Sequence, residues 1–217
     1  MRFDMAHVFG IPVDEEITTQ EGLRTYRNPP SRFVANKVIG HVDDLARRFI
    51  AVSTMVVLAT RRPDGGVDLT PRGDPSGFVK ILNDRVIALP DRLGNNRADA
   101  FENILRDPGV GLYFIIPGHR DSLRISGQAR IVRDTNLMSQ MEVSGHIPDL
   151  AILVRVDALL SHCPKAFVRA GMWEQDAWPD LSDVPSAGEF LKAHGSLPDP
   201  VADVEDVVAK DGQNRLY

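Results

Sequence analysis

The sequence predicts a mainly β fold of the α+β class, built around a small antiparallel barrel of six strands. Six short apolar or alternating runs fall between residues 55 and 131, and turn-forming residues separate most of them. One helical segment interrupts these runs, whereas a parallel sheet needs a crossover between successive strands. Six strands with so little helix between them therefore favour a barrel over a βαβ arrangement.

The first fifty residues precede the predicted barrel. Residues 1–40 combine charged side chains with Pro12, Pro29 and Pro30 and show little periodicity, which predicts an extended or partly helical arm. Residues 43–50 indicate a short helix, because acids open it, two arginines follow and the apolar residues share one stripe. This helix leads into the first strand.

Two β-hairpins are predicted next. The apolar run Met55–Thr60 and the alternating run Val67–Thr70 flank a turn cluster that contains a proline and two glycines. A second pair of runs, Phe78–Leu82 and Val86–Leu89, flanks the polar turn Asn83–Arg85. If the hairpins are neighbours in one sheet, the segment that joins them lies beside the end of the fourth strand.

A helix and the last two barrel strands follow. We expect the helix at about Asn96–Leu105 and the strands at Val110–Ile116 and Ser122–Ile131. Along the last strand, apolar and polar residues alternate over its whole length. The apolar face holds Leu123, Ile125, Gly127, Ala129 and Ile131, and the polar face holds Arg124, Ser126, Gln128 and Arg130. A polar face of this kind borders either solvent or an interface.

The remaining residues predict peripheral elements and set the domain boundaries. We expect a helix at 134–143, a further strand at 151–156 and a mostly helical run at 158–170. From residue 177 onward, prolines, acids and small residues dominate until a helical pattern near 201–210. The predicted organisation is an N-terminal arm at 1–40, a central domain at 41–175 and a C-terminal arm at 176–217.

Composition narrows the class of partner. The 217 residues carry a net charge of −5, which argues against nucleic acid or an anionic membrane and favours a small molecule. No apolar run approaches membrane-spanning length, so we expect a cytoplasmic protein. The six histidines show no zinc-binding spacing, and no metal site is predicted. The lone Cys163 cannot form an internal disulfide and is expected to be a small buried hydrophobe.

The segment Pro90–Asp99, with the sequence PDRLGNNRAD, joins the fourth strand to the predicted helix. If the helix begins at Asn96, the N–H groups of its first turn favour an anion. Asn95 or Asn96 then caps the helix or donates to the anion, and the Arg97 guanidinium suits a phosphate group. The alternative is purely structural, with the asparagines as caps and Arg97 in contact with solvent or an acid.

A second arginine lies in the segment Thr70–Gly77, with the sequence TPRGDPSG, between the two hairpins. This connection is longer than a plain turn requires. If the hairpins are neighbours, Arg72 and Arg97 converge with a helix N-terminus on one dianion. The alternative is a turn rich in glycine and proline with a surface ion pair between Arg72 and Asp74.

Taken in order, these segments resemble the pyridoxamine 5′-phosphate oxidase-like FMN-binding proteins, in particular an uncharacterised bacterial branch of that group. The resemblance covers about residues 40–175, and the run of motifs is more specific than any one of them. The motifs are LAT at 58–60, TPRGD at 70–74, GFV at 77–79, PDR at 90–92, GNNR at 94–97, DPGVG at 107–111, IPG at 116–118, LRISGQA at 123–129 and HCPKA at 162–166. The resemblance implies a six-stranded split β-barrel of the FMN-binding type and a homodimer, with an FMN at each of two sites across the dimer interface.

The resemblance also implies the residues of the cofactor site. They are Arg72, Gly73, Asn95, Asn96, Arg97, Ser122, Arg124 and Lys165. The first two would contact the phosphate and ribityl region, and the next three would take the place of the family's phosphate cluster at the helix start. Ser122 and Arg124 would meet the flavin from the second subunit, with Gln128 a weaker candidate. Lys165 would approach the flavin ring or its phosphate.

Three functions remain open at the level of sequence. The first is an FMN-dependent oxidoreductase that acts on an unknown small molecule, with a nicotinamide or a reduced deazaflavin as its partner. The last residues, DGQNRLY, carry only a faint echo of the arginine and histidine pattern that grips the substrate phosphate in the family's oxidases, so vitamin B6 oxidation is not expected. The second function is storage or sensing of a flavin or haem, and the third is a dimeric interaction protein. Because a flavin carries the redox chemistry itself, no catalytic residue is assigned.

Overall fold

The computed structural model describes residues 6–94 and 96–217 of the chain. These residues form two compact units, one up to Lys37 and one from Val38 onward. The first unit contains the short antiparallel strands β1 (Ala6–Val8) and β2 (Ile11–Val13) and the helices α1 (Gln20–Tyr26) and α2 (Arg32–Ala35). The side chain of Thr19 caps α1 by accepting a hydrogen bond from the Gly22 amide.

The second unit is built on one antiparallel sheet. Its strands are β3 (Met55–Arg61), β4 (Val67–Gly73), β5 (Lys80–Asn83), β6 (Val86–Pro90), β7 (Gly109–Ile115), β8 (Ser122–Val132) and β9 (Ala151–His162). They lie in the order β4-β3-β7-β8-β9-β6-β5. The predicted α+β class, with a mainly antiparallel sheet, is confirmed. The sheet has seven strands rather than six, because the strand predicted separately at 151–156 lies inside it as β9.

β9 joins the sheet because both of its edges find partners. It pairs with β6 on one side and with β8 on the other. A bulge interrupts the pairing with β8 between Ser126 and Gly127. There the backbones approach so closely that a Cβ on Gly127 would lie 1.9 Å from the carbonyl oxygen of Arg155. Glycine at this bulge therefore lets the two longest strands of the sheet pair along their whole length.

Six helices lie within the described residues of this second unit. They are α3 (Asp44–Val52), α4 (Asp99–Arg106), α5 (Thr135–Ser139), α6 (Lys165–Arg169), α7 (Ala187–Gly195) and α8 (Val201–Asn214), and a 3-10 turn spans Gln175–Ala177. The helix expected from Asn96 begins at Asp99, because Asn96 has a φ of 59° and lies outside the helical region. The helical prediction for 158–170 is wrong in its first part, since β9 continues to His162. Cys163 is exposed rather than buried, because it lies in the turn between β9 and α6.

The inner face of the sheet carries the core. The alternation predicted along β8 is confirmed, since Leu123, Ile125 and Ala129 are buried whereas Arg124 and Gln128 are exposed. The helices α3 and α4 each add an apolar stripe to the same cluster of buried side chains. α4 contacts β3, β4 and β8. The core therefore fixes where the N-terminus of α4 lies relative to the edge strand β4.

The two edge strands of the sheet are consecutive in sequence. The chain leaves β4 at Gly73 and enters β5 at Lys80, yet these strands lie at opposite ends of the strand order. A connection of this length spans roughly 25 Å at most, so the sheet curls until its two edges face each other. Within the described residues, no helix is both long and apolar enough to cross a bilayer.

Candidate functional site

Two ion pairs cross the gap between the facing edges of the sheet. Nη1 of Arg72, near the end of β4, lies 3.5 Å from Oδ1 of Asp91, directly after β6. Nε of Arg92 lies 2.6 Å from Oδ2 of Asp74, directly after β4. The surface pair considered between Arg72 and Asp74 is therefore wrong, since each bonds a residue across the gap. The hairpins are not neighbours in the sheet, and Arg72 meets the end of β6 because the sheet curls.

β4 turns its polar side chains inward. Burial alternates along the strand, with Asp68 and Arg72 partly buried and Val67 and Leu69 exposed. Arg72 is paired with Val56, a fully buried residue of β3. Because paired residues in an antiparallel ladder point to the same side, Arg72 points into the gap. The outer side of this edge strand is correspondingly apolar.

Burial leaves the Arg72 guanidinium short of acceptors. Its side chain is 19% exposed, and its Nε is buried without a hydrogen-bond partner among the described residues. Burial lowers the pKa of Arg72 below its ordinary value, and the charge of Asp91 opposes this only in part. Burial likewise raises the pKa of Asp91, against the opposing effect of Arg72. Both charged forms are thus disfavoured by burial, and an additional anion beside Arg72 would stabilise the cation.

A cleft of about 810 Å³ opens beside Arg72. This volume lies within the range of roughly 300–1,000 Å³ found for small-molecule sites. The guanidinium of Arg72 lies 5.8 Å from the ring centre of Phe101, which begins an apolar wall. The rest of that wall is Leu105, Ile131 and Leu150. The charged lining consists of Asp68, Arg72, Asp91, Arg92, Arg97 and Asp99.

The loop before α4 forms one side of the cleft. Asn96 and Arg97 line it but precede the helix, and Nε of Arg97 donates to Oδ2 of Asp99 at 2.8 Å. The N-cap of α4 is Ala98, which has no side-chain acceptor. Of the two roles expected for Asn96, capping the helix is therefore excluded, and the first-turn N–H groups of α4 lie at the cleft without a side-chain cap. Asn95 lies outside the described residues.

One buried side chain anchors α4 against the sheet. Nδ2 of Asn103 donates to Oγ1 of Thr60 at 3.1 Å and to Oδ2 of Asp68 at 2.7 Å. Asn103 is 4% exposed and Thr60 is 2% exposed. These two bonds tie the helix to β3 and β4 together, so they hold Phe101 and the start of α4 at the cleft.

Replacing Asn103 with alanine is expected to lower the free energy of unfolding by about 2 kcal/mol, because a buried hydroxyl and a half-buried carboxylate lose their shared donor. Urea denaturation measures this change. The matched control is Glu102→Ala on the exposed face of the same helix, for which we expect a change of at most about 0.5 kcal/mol. Equal losses in the two variants would show that the Asn103 bonds do not anchor α4.

The other predicted cofactor residues lie away from the cleft. Gly73 borders a smaller pocket next to it. Ser122 is buried, and its hydroxyl donates to the hydroxyl of Tyr113 at 2.7 Å. Arg124 is exposed on β8, and Lys165 is exposed at the start of α6. The structure therefore brings Arg72, Asn96 and Arg97 together, with Gly73 beside them, and leaves the other three elsewhere on the same chain.

Arg124 and Arg72 lie on opposite faces of the sheet. Arg72 shares a row of paired residues with Val56, Phe114 and Leu123, whose side chains are buried. Arg124 is the neighbour of Leu123, so it points to the other face. The row crosses three strand spacings, which is roughly 14 Å along the sheet. One chain therefore cannot direct both arginines at one small ligand.

Sequence reasoning assigned no role to Asp91, Arg92 and Phe101, which help to form the cleft. The sequence did contain a signal for Asp91 and Arg92. A base and an acid stand at positions 72 and 74, and an acid and a base stand at positions 91 and 92, so the two segments can form two ion pairs. That complementarity becomes meaningful only when the two edges of the sheet face each other. Phe101 lies in the segment that was expected to be helical, and nothing in the sequence set it apart from the other apolar residues of that segment.

Comparison with known families gives one match. The family model described as pyridoxamine 5′-phosphate oxidase matches residues 42–160, more than half of the chain. The matched range contains β3 to β8, most of β9, and the cleft. Among curated proteins, no sequence matches the chain significantly.

Several solved structures are similar to part of the chain. HupZ of Group A Streptococcus is 12% identical, with 52% of this chain and 90% of that chain covered and a TM-score of 0.41. General Stress Protein 26 from Bacillus anthracis is 16% identical, with 53% and 88% covered and a TM-score of 0.43. An FMN-binding protein from Syntrophomonas wolfei is 9% identical, with 53% and 78% covered and a TM-score of 0.39. Similarity at this level does not specify an activity.

Proposed function

Because the chain belongs to the pyridoxamine 5′-phosphate oxidase family, we propose that it binds FMN in the cleft beside Arg72 and acts as an FMN-dependent oxidoreductase on a small molecule. The observation that carries this proposal is the Arg72 side chain. It is largely buried at the cleft, its Nε lacks a partner among the described residues, and its ion pair with Asp91 is long at 3.5 Å. A phosphate group would supply the missing acceptors to the guanidinium fork.

The rest of the cleft fits the parts of FMN. Arg97 and the uncapped first turn of α4 add donors next to Arg72 for a phosphate dianion. Phe101 and Leu105 offer an apolar surface on which the planar ring system can pack. The cleft thus has hydrogen-bond donors at Arg72 and Arg97 and an apolar wall at Phe101 and Leu105. This arrangement suits a ligand that has one charged end and one aromatic end.

The cleft also contains acids that the phosphate has to displace. Asp91 pairs with Arg72, and Asp99 pairs with Arg97. Burial already raises the pKa of Asp91, and a phosphate nearby would raise it further. Binding of FMN would therefore exchange the Arg72–Asp91 contact for an Arg72–phosphate contact.

When bound, FMN supplies hydride and electron transfer, and the protein supplies the environment. Arg72 and Arg97 hold the phosphate and so fix the distance of the ring from the rest of the site. Phe101 and Leu105 exclude water from one side of the ring. Asn103 keeps the helix that carries them in place. We assign no general base.

A homodimer completes this site. Arg124 and Lys165 resemble flavin-contacting residues of the family, yet in one chain they lie away from the Arg72 cleft, and Arg124 lies on the opposite sheet face. A second copy that docks on that face would bring its own Arg124 near the cleft. The exposed apolar residues Val67 and Leu69 of β4 support docking at this face.

A non-catalytic protein that stores or senses a flavin or haem is the second candidate. Leu216 and Tyr217 line the smaller pocket next to the cleft, and such cover restricts the access that a substrate needs. This protein would retain its cofactor but would not turn over an electron donor.

The first experiment is the visible absorption spectrum of the purified protein, followed by denaturation and identification of the released chromophore. We expect flavin absorption and release of FMN. Oxidation of added NADPH or of a reduced deazaflavin then separates the oxidoreductase from the storage protein. A colourless protein that also fails to take up added FMN would contradict the proposal.

A further inference from the structure

A second pocket of about 430 Å³ adjoins the cleft. Its lining includes Arg72, Asp74, Phe78, Arg92, Leu93 and Tyr217, and we call it the Asp74 pocket. Arg72, Arg92 and Leu93 also line the cleft, so these side chains form the wall between the two spaces. A molecule in the Asp74 pocket would therefore lie directly beside a molecule in the cleft.

Asp74 carries an unused acceptor. Its side chain is 1% exposed, and its Oδ2 receives the Nε–H of Arg92 at 2.6 Å. Its Oδ1 is buried and has no hydrogen-bond partner within residues 6–94 and 96–217. A buried carboxylate oxygen without a partner is unfavourable, because it has lost water and gained nothing in exchange. Oδ1 of Asp74 can thus accept one more hydrogen bond from a donor in the pocket.

The charges around Asp74 decide which donor fits. Arg92 already neutralises the carboxylate, and Arg92 also donates to the Met141 carbonyl oxygen at 2.7 Å. Arg72 adds a second positive charge to the same wall. A cationic ligand would be repelled by these two arginines, whereas a neutral N–H group would not. Phe78 and Leu93 make the remaining walls suitable for a flat ring.

Tyr217 covers this pocket through weak contacts. Its ring lies 5.7 Å from the guanidinium of Arg92 and 6.2 Å from the ring of His146. Burial raises the pKa of Tyr217, and the Asp74 carboxylate close to its hydroxyl adds to this effect. The neighbouring Arg215 reaches the Gly94 carbonyl oxygen at 3.5 Å, which is long for a hydrogen bond. Such contacts hold the segment over the pocket but allow a ligand to displace it.

We propose that the Asp74 pocket binds a small planar carboxamide or lactam, whose N–H donates to Oδ1 of Asp74 while Tyr217 is displaced. The assignment of this molecule as the substrate rests on the proposed function, because the flavin would occupy the adjoining cleft. Binding itself depends only on the residues of the pocket. The pocket thereby selects for a neutral donor on a flat ring, because a carboxylate has no N–H to donate to Oδ1 and an ammonium group is repelled by the two arginines.

The test is calorimetric titration of the full chain, as purified, with nicotinamide and with nicotinic acid. The two probes share a ring and differ in that the acid replaces the NH₂ donor with an oxygen and carries one negative charge on its carboxylate. We expect nicotinamide to bind at least about tenfold more tightly, because the acid places an anion against Asp74. Equal or tighter binding of nicotinic acid would show that the arginines recognise the ligand and would overturn the proposal. Absence of nicotinamide binding would overturn it as well.

Two variants locate the binding. Tyr217→Phe keeps the ring but removes the hydroxyl that competes for Asp74, so nicotinamide affinity should rise about fivefold. Asp74→Asn should lower it about fivefold, since a charged acceptor becomes neutral. If Asp74→Asn fails to fold, the Tyr217 variant alone decides, and an unchanged affinity there contradicts the proposal.

The flavin content of the same samples separates the two proposals. Bound FMN without nicotinamide binding would overturn the assignment of the Asp74 pocket and leave the cofactor proposal intact. If the protein takes up no FMN but binds nicotinamide with an affinity that responds to Tyr217→Phe, the cofactor proposal is overturned and the assignment of the Asp74 pocket stays intact.

Discussion

Replacing Arg72 with alanine is expected to weaken FMN binding by about 100-fold. A charge-assisted hydrogen bond contributes about 1.5–3 kcal/mol, and the Arg72 fork offers a phosphate two such bonds at a buried place where few other donors are available. Titration of flavin fluorescence with the apoprotein measures the dissociation constant. Thermal unfolding of the same sample ensures that only folded protein is compared.

The neighbouring arginines give this prediction its controls. Arg85→Ala removes an exposed arginine from the turn between β5 and β6 and should leave the affinity unchanged. Arg97→Ala should weaken FMN binding less than Arg72→Ala does, because Arg97 is exposed and paired with Asp99. Asp91→Asn should tighten binding, since it removes the competitor for Arg72. An Arg72→Ala variant that binds FMN like the unaltered protein would show that the phosphate lies elsewhere.

The positions of the strands could be predicted because they depend on local signals. Glycine, proline and polar turns separate the runs that form β3 to β8, and the alternation in β8 is readable without a partner strand. The extent of β9 could not be predicted in this way. Its second half, from Ala158 to His162, is apolar enough to suggest a helix, and only pairing with β8 makes it a strand.

The residues of the site also differ in whether local signals in the sequence could predict them. Arg72 was a candidate because it stands in a motif that resembles the family's. Its place near the end of β6 was expected only if the two hairpins were neighbours in the sheet, and they are not. The partners of Arg72 and Asp74 could not be predicted. Asp91 and Arg92 contact them across the two edges of the sheet, which face each other only because the sheet curls. The conformation of Asn96 was also beyond prediction, since the helix start depends on how α4 is anchored by Asn103.

The outer face of the sheet is the surface on which we expect a second copy of the chain to dock. Ala59 lies on this face in β3, next to the edge strand β4, and is paired with Leu69 on one side and Gly111 on the other. Leu69 is 69% exposed, and a shallow depression of about 460 Å³ surrounds Ala59 and Gly111. The small residues Ala59 and Gly111, together with apolar side chains on the edge strand β4, allow the sheets of two copies to approach closely.

Replacing Gly111 with glutamate is expected to convert the proposed dimer into a monomer. A carboxylate buried without a partner at the centre of an interface costs about 3 kcal/mol or more, which weakens association at least about 100-fold. The fold should tolerate the change, because a Cβ on Gly111 meets only the Cβ of Ala59, at 3.6 Å. Sedimentation velocity measures the mass of the particle. At about 10 μM, a dimer with a Kd of about 1 μM (about −8.2 kcal/mol) stays mostly associated, whereas one that is about 100-fold weaker is mostly dissociated.

The control for this change is Leu82→Glu, which adds the same charge at an exposed position of β5. It should leave the dimer intact. Because the second copy's Arg124 is proposed to reach the Arg72 cleft, the Gly111 variant should also lose FMN affinity, while Leu82→Glu should not. A Gly111→Glu protein that stays dimeric would place the interface on another surface. A monomer that binds FMN at full strength would show that one chain holds the cofactor alone.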